Sequence, residues 1–295
     1  MMKNNGQSLI FPQWPAPANV RAVVTTRMGG VSIGRYASLN VATHVDDNPQ
    51  SVAQNRQQLL DNLPTQSGLK YTIAWLNQVH GNQCIEVSQS TPQNQTADAA
   101  FTTKKNIICN VMTADCLPVL FANRQGSWVA ACHAGWRGLL AGVIENTVNQ
   151  YINVEQHIKQ KDSINTQFVK DQSSTINIAS NIASNNKPQL QSSTNDLIAF
   201  IGPAISQRHF EVGSEVFTQF VSKNKQYTSF FRPAHNQFSA QKYDFDFVGL
   251  ARFIMQQMGI EVFGGEWCSF NDEQRFYSYR RDGQTGRMAS LIWIE

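Results

Sequence analysis

The chain is short of several features that would place it quickly. Its 295 residues hold only five cysteines, at positions 84, 109, 116, 132 and 268, with no Cys-x-x-Cys pair. An odd, irregular set excludes a disulfide framework and points to free thiols in a reducing compartment. Charged residues make up 15% and the net charge is +3, with the basic side chains scattered, so the basic stripe of a nucleic-acid binder is missing. No apolar run is long enough to span a bilayer. The opening residues lack the apolar stretch of a signal peptide. We therefore expect a cytoplasmic protein that engages neither membrane nor nucleic acid. There is no internal repeat and no His-x-His pair. What is present is 41% hydrophobic residues, enough for a sizeable core and too many for wholesale disorder.

Patterning predicts mixed elements. Val20 to Thr26 reads as a strand, broken by a turn at Arg27-Met28-Gly29-Gly30. Asn48-Pro49 opens a helix running to Leu59-Leu60, because a polar cap before proline suits a helix start. Ile107–Met112 and Ser127–Cys132 read as strands. Pro118 argues against a regular central strand at its position. Apolar residues from Leu139 to Tyr151 recur at helical spacing. Further helices are expected from Ser214 to about Val221 and after Asp246, and a last strand from Met288 to Ile294. Residues 153–195 are rich in Asn, Gln, Ser and Thr and read as a polar, flexible insertion. No steady strand–helix–strand rhythm emerges, so the expected class is α+β, mixed α and β in one domain, 1–295.

Three segments carry chemistry: Gln78-Val79-His80-Gly81, Thr113-Ala114-Asp115-Cys116-Leu117-Pro118 and His133-Ala134-Gly135-Trp136-Arg137-Gly138. Each places one metal-ligating side chain beside a turn-forming residue. His80, Cys116 and His133 suffice for a three-ligand zinc site with an open fourth position. Zinc would keep Cys116 as thiolate and acidify a bound water. Copper competes, since two His and one Cys also describe a blue-copper centre. A metal-free scheme uses the same residues, with Cys116 and His133 as nucleophile and base and His80 orienting substrate.

Around them, Arg137 at a helix start and Arg27 beside two glycines are candidates for phosphate or carboxylate binding. Asn40 and Gln78 are candidate polar specificity contacts. Asp115 is odd beside an apolar strand, because a buried carboxylate needs a partner. Arg275, Arg280, Arg281 and Arg287 form a surface patch or an anion site. His44, His209 and His235 read as structural or surface residues.

The segments TTRMGGVSIGRYASLNVATHVDD, LNQVHGN, TADCLPVL, HAGWRG, FIGPAISQRHFEVG and FYSYRRDGQTGRMASLIWIE resemble the laccase-domain family, also called the YfiH or peptidoglycan editing factor family. The likeness runs from about Val20 to the C-terminus, and the 153–195 segment departs from it. The resemblance implies a single α+β domain with mixed sheets in a sandwich-like core flanked by helices, similar to a deamidating toxin with a Cys–His pair, and metal ligands at His80, Cys116 and His133. It implies phosphorolysis of adenosine, inosine and methylthioadenosine, plus adenosine deamination. A peptidoglycan-precursor editing role is also attached to bacterial members. The polyphenol-oxidase label is an older family name, which the chain's six histidines do not favour. His209-Phe210-Glu211 matches the His-x-Glu of nucleobase deaminases by letters only, since no Cys-x-x-Cys completes it. Asp115 is the remaining candidate proton shuttle. The rivals to a zinc-dependent purine nucleoside phosphorylase are an amide hydrolase using Cys116 and His133, a polyphenol oxidase and a metal-binding protein without turnover.

Overall fold

The computed structural model describes residues 8–66, 68–171, 194–234 and 241–295. One sheet has five strands in the order β1 (Leu9–Ile10), β2 (Val20–Thr25), β16 (Met288–Ile294), β8 (Ile107–Thr113) and β3 (Thr72–Ala74). The second has six, in the order β15 (Glu261–Gly264), β11 (Leu197–Ile201), β9 (Leu117–Asn123), β10 (Val129–Ala134), β7 (Ala99–Thr102) and β5 (Cys84–Glu86). Pairing is antiparallel except for β3 with β8, β11 with β15 and β5 with β7. A small sheet runs β12 (Glu211–Gly213), β14 (Lys242–Phe245), β13 (Phe231–Pro233), and β4 (Leu76–Asn77) lies beside β6 (Gln95–Thr96).

The two large sheets face one another. Leu120 and Ala122 of β9 pack with Cys109 and Val111 of β8 and Ile292 of β16 between them. The alternate residues Leu117, Val119 and Phe121 point the other way, onto α3 (Val143–Asp171) and α5 (Phe247–Gln257), together with α4 (Ser214–Lys223). The outer face of the five-stranded sheet is covered by Leu59 of α1 (Pro49–Asn62) and by Val41, Ala42 and Val45. Both faces of each large sheet are thus covered. This is why β8, β9 and β16 are mostly apolar, and every residue in them is buried. The architecture is the mixed α+β class that the pattern implied, arranged as the sandwich that the resemblance implied.

Local signals explain the helix starts. Asn48 accepts from Ser51 N at 3.0 Å with Pro49 following it. Asp246 accepts from Gly249 N at 2.8 Å, a cap contributing about 1 kcal/mol.

Three expectations need correction. Pro118 does lie in a central strand, as the second residue of β9. Its side toward β10 faces His133 without needing its absent N–H, and its carbonyl accepts from Gly202 N at 2.9 Å where β11 has just ended. The missing donor therefore falls past the end of the neighbouring strand. The helical stretch from Leu139 is two helices: α2 (Trp136–Ala141) stops at Gly142, whose φ of 87° only glycine adopts without strain, and α3 begins at Val143. Finally, α3 continues to Asp171, so the first part of the polar 153–195 segment is helical. Residues 172–193 of that segment and His235 lie outside the described residues. No helix among the described residues is long and apolar enough to cross a membrane.

Candidate metal centre and its cavity

His80, Cys116 and His133 come together. Their ligand atoms all lie within 4.8 Å of one another, with Cys116 Sγ 3.7 Å from His80 Nε2. Each arrives from a different place. His133 is the penultimate residue of β10 and is 3% exposed. Cys116 immediately precedes β9 and is half-buried, and His80 is exposed on the loop after β4, held at a left-handed φ of 59°. Two nitrogens and one sulfur this near one another fit a single metal ion; the bonds of a tetrahedral zinc, roughly 2.0–2.3 Å, would draw neighbouring donors in to about 3.5 Å. Gly135 makes that closeness possible. A Cβ there would stand 2.6 Å from His80 Cδ2 and 3.2 Å from Cys116 Sγ.

A residue that the sequence reading passed over organises this centre. Asp98 is wholly buried, and its Oδ1 accepts from His133 Nδ1 at 2.8 Å. The same carboxylate accepts from the backbone N–H of His80 at 2.9 Å and of Gly81 at 2.6 Å. It therefore fixes the tautomer of one histidine, leaving Nε2 to face the centre, and pins the loop that carries the other. Burial by itself would raise the Asp98 carboxyl; the His133 hydrogen bond and charge, with the Gly81 and Val79 N–H groups, hold it below the usual carboxylate range. The signal was legible. Thr96-Ala97-Asp98 repeats Thr113-Ala114-Asp115, an acid at the mouth of an apolar strand in both cases.

The centre's own groups shift one another. Burial opposes the Cys116 thiolate, but the charge and hydrogen bond of His133, then those of His80, bring its pKa down to about 6. Burial likewise opposes the His133 imidazolium, and Cys116 and Asp98 raise its pKa to about 9. Thiolate and imidazolium stabilise each other as a pair.

A cavity of about 470 Å³ opens over the three side chains. Phe210, Phe247, Ile205 and Trp136 supply its apolar surface, and His44, Arg137, Arg280 and Arg287 its polar one. Of the predicted contacts, Arg137 lines it, with its guanidinium 4.2 Å above the Trp136 ring. The helix it starts has only six residues, too short for a strong dipole. Gln78 also lines it, but its amide is committed: Nε2 donates to Met112 O at 2.9 Å, and Oε1 accepts from Met112 N at 2.7 Å.

Arg27 and Asn40 are not among the lining residues. Arg27 ties two loops together, donating to Ala37 O at 3.0 Å and to Glu273 O at 3.1 Å. Asn40 is buried and donates to Asp47 at 2.9 Å while accepting from Arg287 N at 3.0 Å. Asp115 keeps both oxygens occupied, accepting from Ser269 Oγ and from Arg280 N, each at 2.6 Å. It buckles two distant loops onto the site, which suits a structural carboxylate better than a proton shuttle. His44, taken from sequence as structural or surface, stands at the cavity's rim; burial first, then the charge of Arg287, lowers its pKa. The C-terminal arginines divide. Arg275 pairs with Asp272 and Arg281 with Asp282, whereas Arg280 and Arg287 line the cavity.

A two-sheet sandwich with a His–Cys–His cluster at strand ends beneath an arginine-lined cavity defines a particular class of protein. The chain belongs to the family described as multi-copper polyphenol oxidoreductase laccase, whose pattern matches residues 21–164 and 172–295. It is 39% identical over 289 residues to the purine nucleoside phosphorylase YfiH of Shigella flexneri, covering 97% of this chain and 98% of that one. It is 40% identical over 287 residues to a purine nucleoside phosphorylase of Pseudomonas aeruginosa, with 97% and 98% covered. A crystal structure of a Neisseria meningitidis protein superposes with a TM-score of 0.78 at 38% identity, covering 98% of this chain and 100% of that one.

Proposed function

We propose that this chain is a purine nucleoside phosphorylase that holds zinc through His80, Cys116 and His133. Its substrates are adenosine, inosine and methylthioadenosine with inorganic phosphate, and adenosine deamination is a second activity of the same cavity. We read residues 1–295 as one catalytic domain. The observation that carries the proposal is the donor cluster lying at the base of a cavity with both aromatic and cationic walls, in a chain about two-fifths identical to proteins bearing that name. Such a cavity offers faces for a purine ring and charge for an oxyanion.

In phosphorolysis a phosphate oxygen bonds to the ribose C1′ as the bond from C1′ to the purine nitrogen breaks. Adenosine then yields adenine and ribose 1-phosphate. In deamination water adds at the amino-bearing carbon and ammonia leaves, giving inosine. A bound zinc supplies Lewis acidity and an acidified water. This chain's residues do the rest: Asp98 orients His133, and Phe210 and Phe247 keep water from one side of the cavity.

The test is incubation of the zinc-loaded protein with adenosine, with and without phosphate. We expect adenine and ribose 1-phosphate only with phosphate present, inosine in both arms, and loss of each with a chelator. A folded, metal-loaded protein that releases none of these products would overturn the reading.

One observation favours a second reading. A thiol brought down to about 6 beside an imidazole suits an amide hydrolase acting on a cell-wall precursor. That scheme predicts chelator resistance and inactivation by alkylation. Metal affinity without any product would instead mark a binding protein. Polyphenol oxidation by a multicopper relay is disfavoured, because His80, Cys116 and His133 form the one three-donor group among the described residues.

A further inference from the structure

The cavity's charge is one-sided. Arg137, Arg280 and Arg287 all line it, and no carboxylate among the described residues pairs with any of them. Its one acidic lining residue, Asp115, has both oxygens satisfied by Ser269 and the Arg280 backbone. Arg287 is half-buried with no direct ion pair among the described residues, and burying a cation is costly unless something anionic meets it.

Among the three, Arg287 is the half-buried one. Its Nη1 donates to Thr285 O at 2.8 Å and to Gly286 O at 3.0 Å, which anchors one arm of the guanidinium. Its own N–H is fixed by the buried Asn40, which in turn is fixed by Asp47. Beneath it lies the ring of Tyr279 at 5.9 Å. Arg137 and Arg280 are exposed by contrast, although Arg280 is anchored in the same way, its Nη1 donating to the carbonyls of His209 and Glu211. Position matters too. Arg287 shares the cavity with the donor cluster, and the charges of Cys116 first and then Asp115 act on its guanidinium. With a divalent ion on one thiolate and two neutral imidazoles, that cluster keeps a net positive charge and adds to the field of Arg287.

We propose that Arg287, with His44 beside it on the cavity wall, is the binding subsite for the inorganic phosphate co-substrate. This rests on the phosphorylase reading and assigns its second substrate to particular residues. A guanidinium anchored through one arm presents the remaining N–H groups as a preset fork, the geometry that suits tetrahedral oxyanions. Asn40, predicted as a specificity contact, acts here at one remove by holding the Arg287 backbone. Arg27, predicted as a phosphate ligand, takes no part.

The test separates phosphate binding from turnover. Binding of inorganic phosphate to the zinc-loaded protein is followed by calorimetry or by broadening of the phosphorus resonance, without nucleoside. Initial rates are then measured with phosphate and adenosine varied in turn. We expect Arg287→Met to weaken phosphate binding and raise its KM about 10- to 100-fold, with the adenosine KM moved by less than about threefold. Arg287→Lys, which keeps the charge and loses the fork, should fall between, and also guards against a folding defect. His44→Gln should give a smaller loss of about 3- to 10-fold, as for one neutral hydrogen bond. Arg27→Met should leave phosphate binding unchanged. Equal phosphate affinity in wild type and Arg287→Met, loss in Arg27→Met instead, or no phosphate binding to the wild type would each overturn the assignment. Phosphate binding that depends on Arg287 without any phosphorolysis would instead sustain the subsite and overturn the phosphorylase reading.

Discussion

The two walls of the cavity are built on different terms. The floor consists of His80, Cys116 and His133, carried at or just beyond the ends of β4, β9 and β10, with the two histidines tied by one buried carboxylate. The facing wall consists of Arg280 and Arg287 from the segment leading into β16, held by backbone carbonyls and aromatic rings rather than by ion pairs. The floor is rigid because its positions follow from sheet register: Pro118 and His133 are direct partners across β9 and β10, which places Cys116 and His133 near each other. The wall depends on loops folded back from far along the chain. One region is organised to hold a cation, the other to receive an anion. Changes to the floor should therefore abolish activity, while changes to the wall should redistribute affinity.

The sharpest break is Cys116→Ala. It removes the only thiolate donor, and we expect metal content to vanish and phosphorolysis to fall by about 10³-fold or more, as measured by elemental analysis and product release. Next comes Asp98→Asn. An amide cannot accept at every contact that the carboxylate makes with His133, His80 and Gly81, so zinc affinity should drop about 10- to 100-fold in competition with a chromogenic chelator. Unchanged affinity in a folded variant would show that Asp98 does not organise the centre. Gly135→Ala should act in the same direction at about tenfold, because its Cβ would push His80 away from Cys116 while leaving the sheets intact.

A pH profile sharpens the comparison without mutation. In metal-free protein the Cys116 thiol titrates near 6, because the charges of His133 and His80 outweigh burial. The thiolate is present above that value and lost as pH falls through it. Alkylation by iodoacetamide should therefore stay fast at neutral pH and decline with a midpoint near 6 rather than the ordinary thiol value of about 8.5. Zinc should protect the residue throughout. The smallest effect belongs to Arg27→Met. It severs backbone ties to Ala37 and Glu273, so we expect a loss of about 1–3 kcal/mol in urea unfolding, with zinc affinity unaltered.

Residue order alone specified a good deal. The largely apolar runs Ile107–Met112 and Met288–Ile294 announced strands, whereas the cover on both of their faces became visible only in the structure, where every residue of both strands is buried. Asn48-Pro49 and Asp246 announced helix starts, because capping is satisfied within three residues. The donor residues stood out because a ligand beside a turn residue is a local pattern. Proximity was decided elsewhere. Arg27 and Arg287 are both arginines near glycine, and nothing local tells that one clamps loops while the other lines the cavity. Pro118 was misread because a proline's cost depends on which neighbour its absent N–H would have met. Asp98 acquired its role only when β7 lay beside β10, bringing a carboxylate to a histidine 35 residues away in sequence. Short-range hydrogen bonding and periodicity are written in neighbouring residues; charge complementarity and ligand convergence arise only once the sheets have set which distant groups share the same few ångströms.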